Sequence, residues 1–429
     1  MHRIVLGIVF CAAVSACAGA PSNPRLNVAA PTAAATPSAN GPSAALTPTL
    51  RRQLTVALYP YVPDAGRMFA DAKAAFEKLH PDVEVVGVSL ANYYDSSMPD
   101  SLKRTTANVI EIDSVFLADL LKDNRIVPLP AGATPAEADF VKPAVETARQ
   151  GGRWIGSPHW LCSDFVYSTK TKQFSGSTLK DLEQFVGATS HPDGAGLLVD
   201  MMGKSTIGEL YLDALVDEAG TFAAALPLLQ PGADPTEPAA AKRDLSRLLG
   251  LCDAKFCRSA DYHGDAGSYA REFTLKHGSA FVGYSEEMNN ILQTLKSGAC
   301  ASSGTCVRPG DIVVSALPLA DGGAHPFVWV DTLAIADSCK DACVSDAAAF
   351  IVMMNDDAHL RADLFPSSDA PRYLLPAKVT LDAELRSRAP LYESFRAITR
   401  DAPPAIGLGL GDTLRKIGGD LNKDPALKH

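Results

Sequence analysis

An α/β protein in two lobes is what this sequence predicts, and three observations carry that expectation. Strand-like and helix-like runs alternate from Leu54 onward, the pattern of a mainly parallel sheet covered by helices. The chain has 429 residues, too many for one ordinary core. With 47% hydrophobic and 21% charged residues it has the composition of a globular protein able to fill two cores.

The elements follow in order. Leu54-Thr-Val-Ala-Leu58 alternates as a strand and runs into Tyr59-Pro-Tyr-Val-Pro-Asp64. Asp64 is placed to cap a helix whose apolar positions are Phe69, Ala72, Phe76 and Leu79. Pro81 stops that helix, and Val83 to Val88 reads as the next strand. Val109 to Ile112 is a third strand ending at Asp113, before a helix with Phe116, Leu117, Leu120 and Leu121. Beyond the middle of the chain come a helix with Leu179, Leu182, Phe185 and Val186, a strand at Leu197 to Met201, and a helix with Leu210, Leu212 and Leu215. Gly203-Lys-Ser-Thr206 invites a phosphate-loop reading, which fails because Leu198 stands where that loop needs a glycine. Ala347 to Met354 reads as a buried helix, and the Gly/Pro-rich residues after about 400 read as peripheral.

The beginning of the chain is a processing signal. His2 and Arg3 precede the apolar run Ile4 to Val14, followed by Ser15, Ala16 and Cys17. Val14-Ser15-Ala16-Cys17 resembles a bacterial lipobox, which makes 1–17 a lipoprotein signal peptide and Cys17 the lipidated residue. An ordinary signal peptide cut near Ala20 is the alternative. Ala18 after the cysteine, in place of Asp, resembles sorting to the outer membrane of diderm bacteria, facing the periplasm. Residues 18–50 are small and polar, with Arg25 their one charge, and cannot bury enough apolar surface to order themselves. They read as a tether with an r.m.s. reach of roughly 30 Å. Membrane association is thus expected only through the lipid.

A net charge of −10 argues against nucleic acid, which needs clustered Lys and Arg. Of nine cysteines, Cys11 and Cys17 lie in the signal. Cys252 with Cys257, Cys300 with Cys306, and Cys339 with Cys343 form three close couples, suited to disulfides in an exported compartment. None has metal-site spacing, and neither metal nor cofactor is called for. Cys162 remains, either a buried apolar cysteine or a nucleophile in a protected cleft.

Phe76-Glu-Lys-Leu-His-Pro-Asp-Val-Glu-Val85 is similar to the first helix-to-strand step of periplasmic solute-binding proteins. Gly152-Arg-Trp-Ile-Gly-Ser-Pro158 with Phe165-Val-Tyr167 is similar to their crossing into the second lobe. The resemblance implies a type II clamshell with a central cleft, sufficient as a monomer. Residues 51–160 with about 290–345 would form one lobe, and 161–289 with about 346–429 the other.

Seven collinear blocks go further: Val56-Ala-Leu-Tyr-Pro-Tyr-Val-Pro-Asp64, Ile112-Asp-Ser-Val-Phe-Leu117, Gly156-Ser-Pro-His-Trp-Leu-Cys162, Gly196-Leu-Leu-Val-Asp-Met-Met-Gly203, Tyr211-Leu-Asp-Ala-Leu215, Ala280-Phe-Val-Gly-Tyr-Ser-Glu-Glu-Met288 and Tyr373-Leu-Leu-Pro-Ala377. Together they resemble thiaminase I (thiamine pyridinylase) from Leu54 to about Ile398. The resemblance implies a transferase that replaces the thiazolium of thiamine by an amine or thiol at the methylene bridge. Cys162 would be the nucleophile and Glu286 its base. Asp113 and Asp331 would face the pyrimidine, and Tyr59, Tyr61 and Tyr284, with Tyr94 and Tyr269, would wall the cleft. Asp113 has the alternative of a helix cap, and the tyrosines that of core or rim aromatics. Flat aromatic walls suit a flat cation. Trp329 stands where the family has tyrosine, and His159 is unfamiliar in its place, leaving a Cys–His hydrolase as a lesser reading. A non-catalytic thiamine- or pyrimidine-binding lipoprotein of an ABC importer is the main alternative.

Overall fold

Alternating apolar residues build the first strand, β1 (Arg52–Ala57), whose Leu54 and Val56 are buried. The computed structural model describes residues 51–90, 102, 105–189, 195–230, 233–260, 263–303, 305–367 and 369–427. The expected signal peptide, the tether, Cys17 and Tyr94 lie outside the described residues.

After β1 come α1 (Ala65–Leu79), β2 (Val83–Gly87), β3 (Val109–Asp113), α2 (Ser114–Lys122), β4 (Ile126–Val127) and a small hairpin of β5 (Arg149–Gln150) and β6 (Arg153–Trp154). Then follow β7 (Ser157–Cys162), β8 (Phe165–Thr169), α3 (Leu179–Thr189), β9 (Ala195–Leu198) and α4 (Lys204–Ala219). The last third holds β10 (Gly278–Gly283), α5 (Glu287–Lys296), β11 (Ile312–Ala316), β12 (Trp329–Ala336), α6 (Ala342–Met354), α7 (Asp357–Leu364), β13 (Leu375–Pro376) and α8 (Leu410–Leu421).

Two sheets organise these elements. The larger runs β13-β7-β12-β3-β1-β2, with β4 beside β12, and the smaller runs β11-β8-β10-β9. β1 is parallel to β2 and β3, while β12 is antiparallel to β3 and to β7. The last residues of β3 and β7 and the first of β12 therefore share one edge of the larger sheet. In the smaller sheet β10 is parallel to β9 and antiparallel to β8, so the end of β10 and the start of β8 share an edge too. Ser163 and Asp164 carry the chain from one sheet to the other, between β7 and β8. β11 adds to the smaller sheet and β13 to the larger, although each lies in a stretch the sequence reading assigned to the other lobe.

The expected elements form, with three differences. In α1 the buried row is Met68, Ala72 and Phe76, and Leu79 is 65% exposed. Spacing of four residues keeps that row on one face, whereas Leu79 turns past its edge. Burying Phe76 fully contributes about 1.5–3 kcal/mol. Asp64 precedes the helix in a left-handed conformation and its carboxylate caps nothing; it turns instead to Arg372, 3.6 Å away. The C-terminal residues are not peripheral. α8 packs on α4 with Leu410 and Leu414 buried, because glycines let the two backbones touch. A Cβ on Gly418 would collide with the Lys204 carbonyl, and one on Gly208 with that of Leu414.

All three expected cysteine couples are joined as disulfides, and Cys162 is the free cysteine among the described residues. Such pairing belongs to an oxidising compartment. No helix among the described residues is long and apolar enough to cross a membrane.

Candidate active site

Cys162 is the last residue of β7, where the strand emerges from the sheet edge half-buried. Its cross-strand partner is Trp329, and two residues along β12 Asp331 pairs in register with Asp113. Placing the two carboxylates opposite one another disfavours ionisation of Asp331. Asp113 Oδ1 accepts the Val115 N–H at 2.9 Å, so it caps α2 while it lines the cavity. The helix-cap reading of Asp113 is thus found, and its place on the cavity wall leaves room for the other.

The smaller sheet supplies the opposite wall. β10 ends at Gly283, and Tyr284, Ser285 and Glu286 turn into α5. That turn is held from behind: the buried Tyr167 Oη donates to the Tyr284 carbonyl at 2.5 Å and reaches the Ser285 carbonyl at 3.2 Å. Tyr284 Oη in turn donates to Glu209 Oε2 at 2.6 Å. A cavity of about 320 Å³ results, lined by Tyr59, Asp113, Cys162, Glu209, His263, Tyr284, Glu286 and Trp329. Tyr61 meets Tyr59 edge-on at 5.7 Å between ring centroids and His263 at 4.4 Å.

Among the described residues no Lys or Arg lines this cavity. Burial, reinforced by Asp331, Glu286, Asp113 and Glu209, holds the Cys162 thiol well above its usual range. Burial is also the chief cause for Asp331 and Glu209, both raised well above ordinary carboxyls. Asp331 gains further from Asp113, Glu111 and Glu286, and one of its oxygens, Oδ2, has no hydrogen-bond partner. A cation placed in such a site would favour carboxylate and thiolate together. Among the described residues no three of His, Cys, Asp and Glu are disposed to hold a metal ion.

Residues 170–299 match the Thiaminase-1 domain. The chain is 28% identical over 357 residues to thiaminase-1 of Paenibacillus thiaminolyticus, spanning 80% of each. The Clostridium botulinum thiaminase I in complex with thiamin has the same fold with a TM-score of 0.71, at 21% identity, covering 86% of this chain and 100% of that one. The maltose-bound MalE3 of T. maritima superposes with a TM-score of 0.62 at 14% identity, covering 86% and 98%. The likeness to thiaminase I and the fold of a type II binding protein, both expected from the sequence, are found.

Of the residues that the thiaminase I resemblance singles out, Cys162, Glu286, Tyr59, Asp113, Tyr284 and Trp329 line one cavity. Tyr61 stands beside it, and Asp331 lies at the strand pair beneath it. Tyr269 is not in its wall. That ring lines a neighbouring cavity with Asp164, Asp200, Thr206 and Glu287, shares Tyr284 with the first, and sends its Oη to the Ala260 carbonyl at 2.7 Å. His159 points to Glu111, its Nδ1 2.6 Å from Oε1, and does not line the cavity of Cys162.

Two lining residues escaped the sequence reading, Glu209 and His263. For Glu209 a signal existed. Glu209, Asp213 and Asp217 recur every four residues on α4, a like-charge row on a helix that is otherwise buried almost all round. Such a row destabilises a helix and is expected only where it serves a site. For His263, in a Gly-rich loop, no pattern was available.

Proposed function

We propose that this chain is a thiaminase I-like transferase, which cleaves thiamine by exchanging its thiazolium for an amine or thiol. The observation that carries the reading is the free Cys162 sharing an acid-lined cavity with Glu286. The arriving thiazolium supplies the positive charge that the carboxylates favour, and so lowers the cost of forming the Cys162 thiolate. Glu286 takes the thiol proton, and Cys162 Sγ adds to the pyrimidine ring. Asp113 and Asp331 face the ring nitrogens and amino group and stabilise the charge that develops there. The bond from the methylene to the thiazolium nitrogen breaks with its electron pair, so a neutral thiazole leaves. The acceptor then bonds to the exocyclic methylene, an amine or thiol giving up its N–H or S–H proton and pyridine instead becoming a pyridinium, and Cys162 departs as thiolate. Tyr59, Tyr61, Tyr284 and Trp329 are proposed as walls for the flat substrate.

By the same reading the protein is exported and lipid-anchored through Cys17, with folded residues 51–429 as a monomer. Incorporation of labelled palmitate into the full chain, lost in Cys17→Ser, tests the anchor.

The exchange is tested with residues 51–429, thiamine and aniline or pyridine, product being followed by mass spectrometry. Wild type is expected to form the exchanged pyrimidine, and Cys162→Ser to lose at least about 10³-fold in rate. Tight binding of intact thiamine by both proteins, with no product from either, would replace the enzyme by an importer's binding lipoprotein.

A further inference from the structure

The pairing of β7 with β12 slips by one residue. Leu161 pairs with Val330 and Pro158 with Thr332, so His159 and Trp160 together stand against Asp331. His159 is only 1% exposed. Its Nδ1 lies 2.6 Å from Glu111 Oε1, while Nε2 has no hydrogen-bond partner. Glu111 is fixed in turn by the Tyr59 N–H at 2.8 Å.

Further partnerless groups continue from there. On α7, His359 and Asp363 sit one turn apart, with Nε2 and Oδ2 separated by 3.5 Å and neither hydrogen-bonded. Arg372 Nη1 donates to the Asp363 carbonyl at 2.5 Å, and its Nη2, also without a hydrogen bond, lies 3.6 Å from Asp64. Asp64 and Asp71 on or before α1 are exposed. Unmade buried hydrogen bonds usually cost about 1–3 kcal/mol each, so a run of five, counting Asp331 Oδ2, asks for a use. A metal ion is not that use, since no three ligating groups converge here among the described residues.

We propose that His159, His359 and Asp363 form a proton route that joins Asp331 beneath the cavity to the exposed carboxylates of α1. The proposal rests on the exchange reading, in which each turnover sheds one proton from the acceptor inside the cavity. That proton passes to the carboxylates there, then to His159 Nε2, then through His359 and Asp363 to solvent. Glu111 holds the His159 ring and balances its charge when Nε2 is protonated. None of the three touches the substrate, so they act as relay and positioning residues. Burial, with the nearness of His159, brings His359 down to about 4, while Asp356 and Asp71 pull it the other way. Burial raises Asp363 to about 7, against the pull of His159 and Arg372 and with help from Asp71 and Glu111. Asp363 thus exchanges protons near neutral pH, and His359 passes one on without retaining it.

The experiment compares the full protein with His159→Gln, His359→Gln and Asp363→Asn, each checked for an unchanged melting curve. Thiazole release in a single turnover is expected to stay near wild type, while steady-state turnover falls about tenfold. High concentrations of imidazole buffer should restore it, and the limb of the kcat–pH profile near 7 should vanish in Asp363→Asn. Equal losses in both phases, with an unchanged pH profile and no response to buffer, would reduce the cluster to core packing and overturn the route. If wild type releases no thiazole at all, the exchange reading fails separately. The route is then read from the His359 imidazole by NMR, whose titration must shift in both Asp363→Asn and His159→Gln; an unmoved titration overturns it.

Discussion

Around Arg247, acidic side chains meet a cation; around Cys162, they meet each other. Arg247 grips Glu183 through two parallel bonds of 2.9 Å, reaches Asp244 at 2.9 Å and Asp321 at 3.1 Å. Its bond to Asp321 holds that carboxyl below the usual range. At the cavity the shifts have the opposite sign, since Asp331, Glu209 and Cys162 are all raised by burial and mutual repulsion. The first group pairs most of its acids with a cation and serves the fold, although Asp244 Oδ2 makes no hydrogen bond and burial together with Asp244 raises the neighbouring Glu218 to about 7. The second raises its own members, an arrangement that would favour the positively charged guest of the proposed function. Native stability is only about 5–15 kcal/mol, so an arrangement that costs stability persists where function needs it.

The largest break in this comparison is expected from Glu286→Gln, which keeps shape and removes the proposed base. Steady-state exchange should fall about 10²–10⁴-fold. The binding of thiamine, followed by calorimetry, should weaken far less. A variant that exchanges at the wild-type rate would move the base elsewhere, with Glu209 the next carboxylate on the cavity wall.

Next in size is Arg247→Met. Asp244 is 95% buried by its neighbours and would lose its cation, at a cost of about 1–3 kcal/mol for this partly exposed network. A lowered denaturation midpoint with unchanged kcat/KM is the expected pair of results. The loss should shrink in acid, because Asp321 is depressed in the folded state and its contribution fades as pH falls through that depressed value. A change in kcat/KM would mean that the two groups of acids are not independent.

The two regions were not equally legible. The Cys162 wall was readable in part: Asp113 closes an apolar run, and Cys162 is the cysteine left over from three couples. Glu286 became legible through its collinear block alone, since nothing in Gly-Tyr-Ser-Glu says which sheet edge will face it, and Asp331 only through the family resemblance. Glu209 needed the four-residue acidic row of α4 to be taken as a signal. His159 was seen but misdirected toward Cys162. The slip between β7 and β12 sets it toward Glu111, and no local pattern announces a bulge. The packing of α8 was hidden for a related reason, because glycine-rich stretches read as loops unless one knows which helix they will touch.

A subtler effect is expected from Asp331→Asn on the thiol itself. Repulsion from Asp331 follows burial as the second cause that raises Cys162. Removing that charge lowers the thiol, so iodoacetamide should alkylate Cys162 several-fold faster at pH 8. Wild-type protein should approach that rate when a cationic, uncleavable thiamine analogue leaves the thiol accessible. Slower alkylation in Asp331→Asn would show that Asp331 stabilises the thiolate, and would place a bound proton on it in the free protein.

The smallest effect belongs to Tyr167→Phe. Tyr167 does not itself line the cavity, yet its hydroxyl holds the Tyr284 and Ser285 carbonyls and with them the turn that presents Glu286. Its loss should cost about 1 kcal/mol of stability and lower kcat roughly twofold to fivefold, with KM little changed. That split separates a positioning bond from general packing, because a loosened core would lower the melting temperature without singling out kcat. If kcat holds while stability falls, Tyr167 belongs with Arg247 among the completed interactions of the fold. A fall in kcat at nearly constant stability would place it with the cavity, as the bond that keeps Glu286 within reach of Cys162.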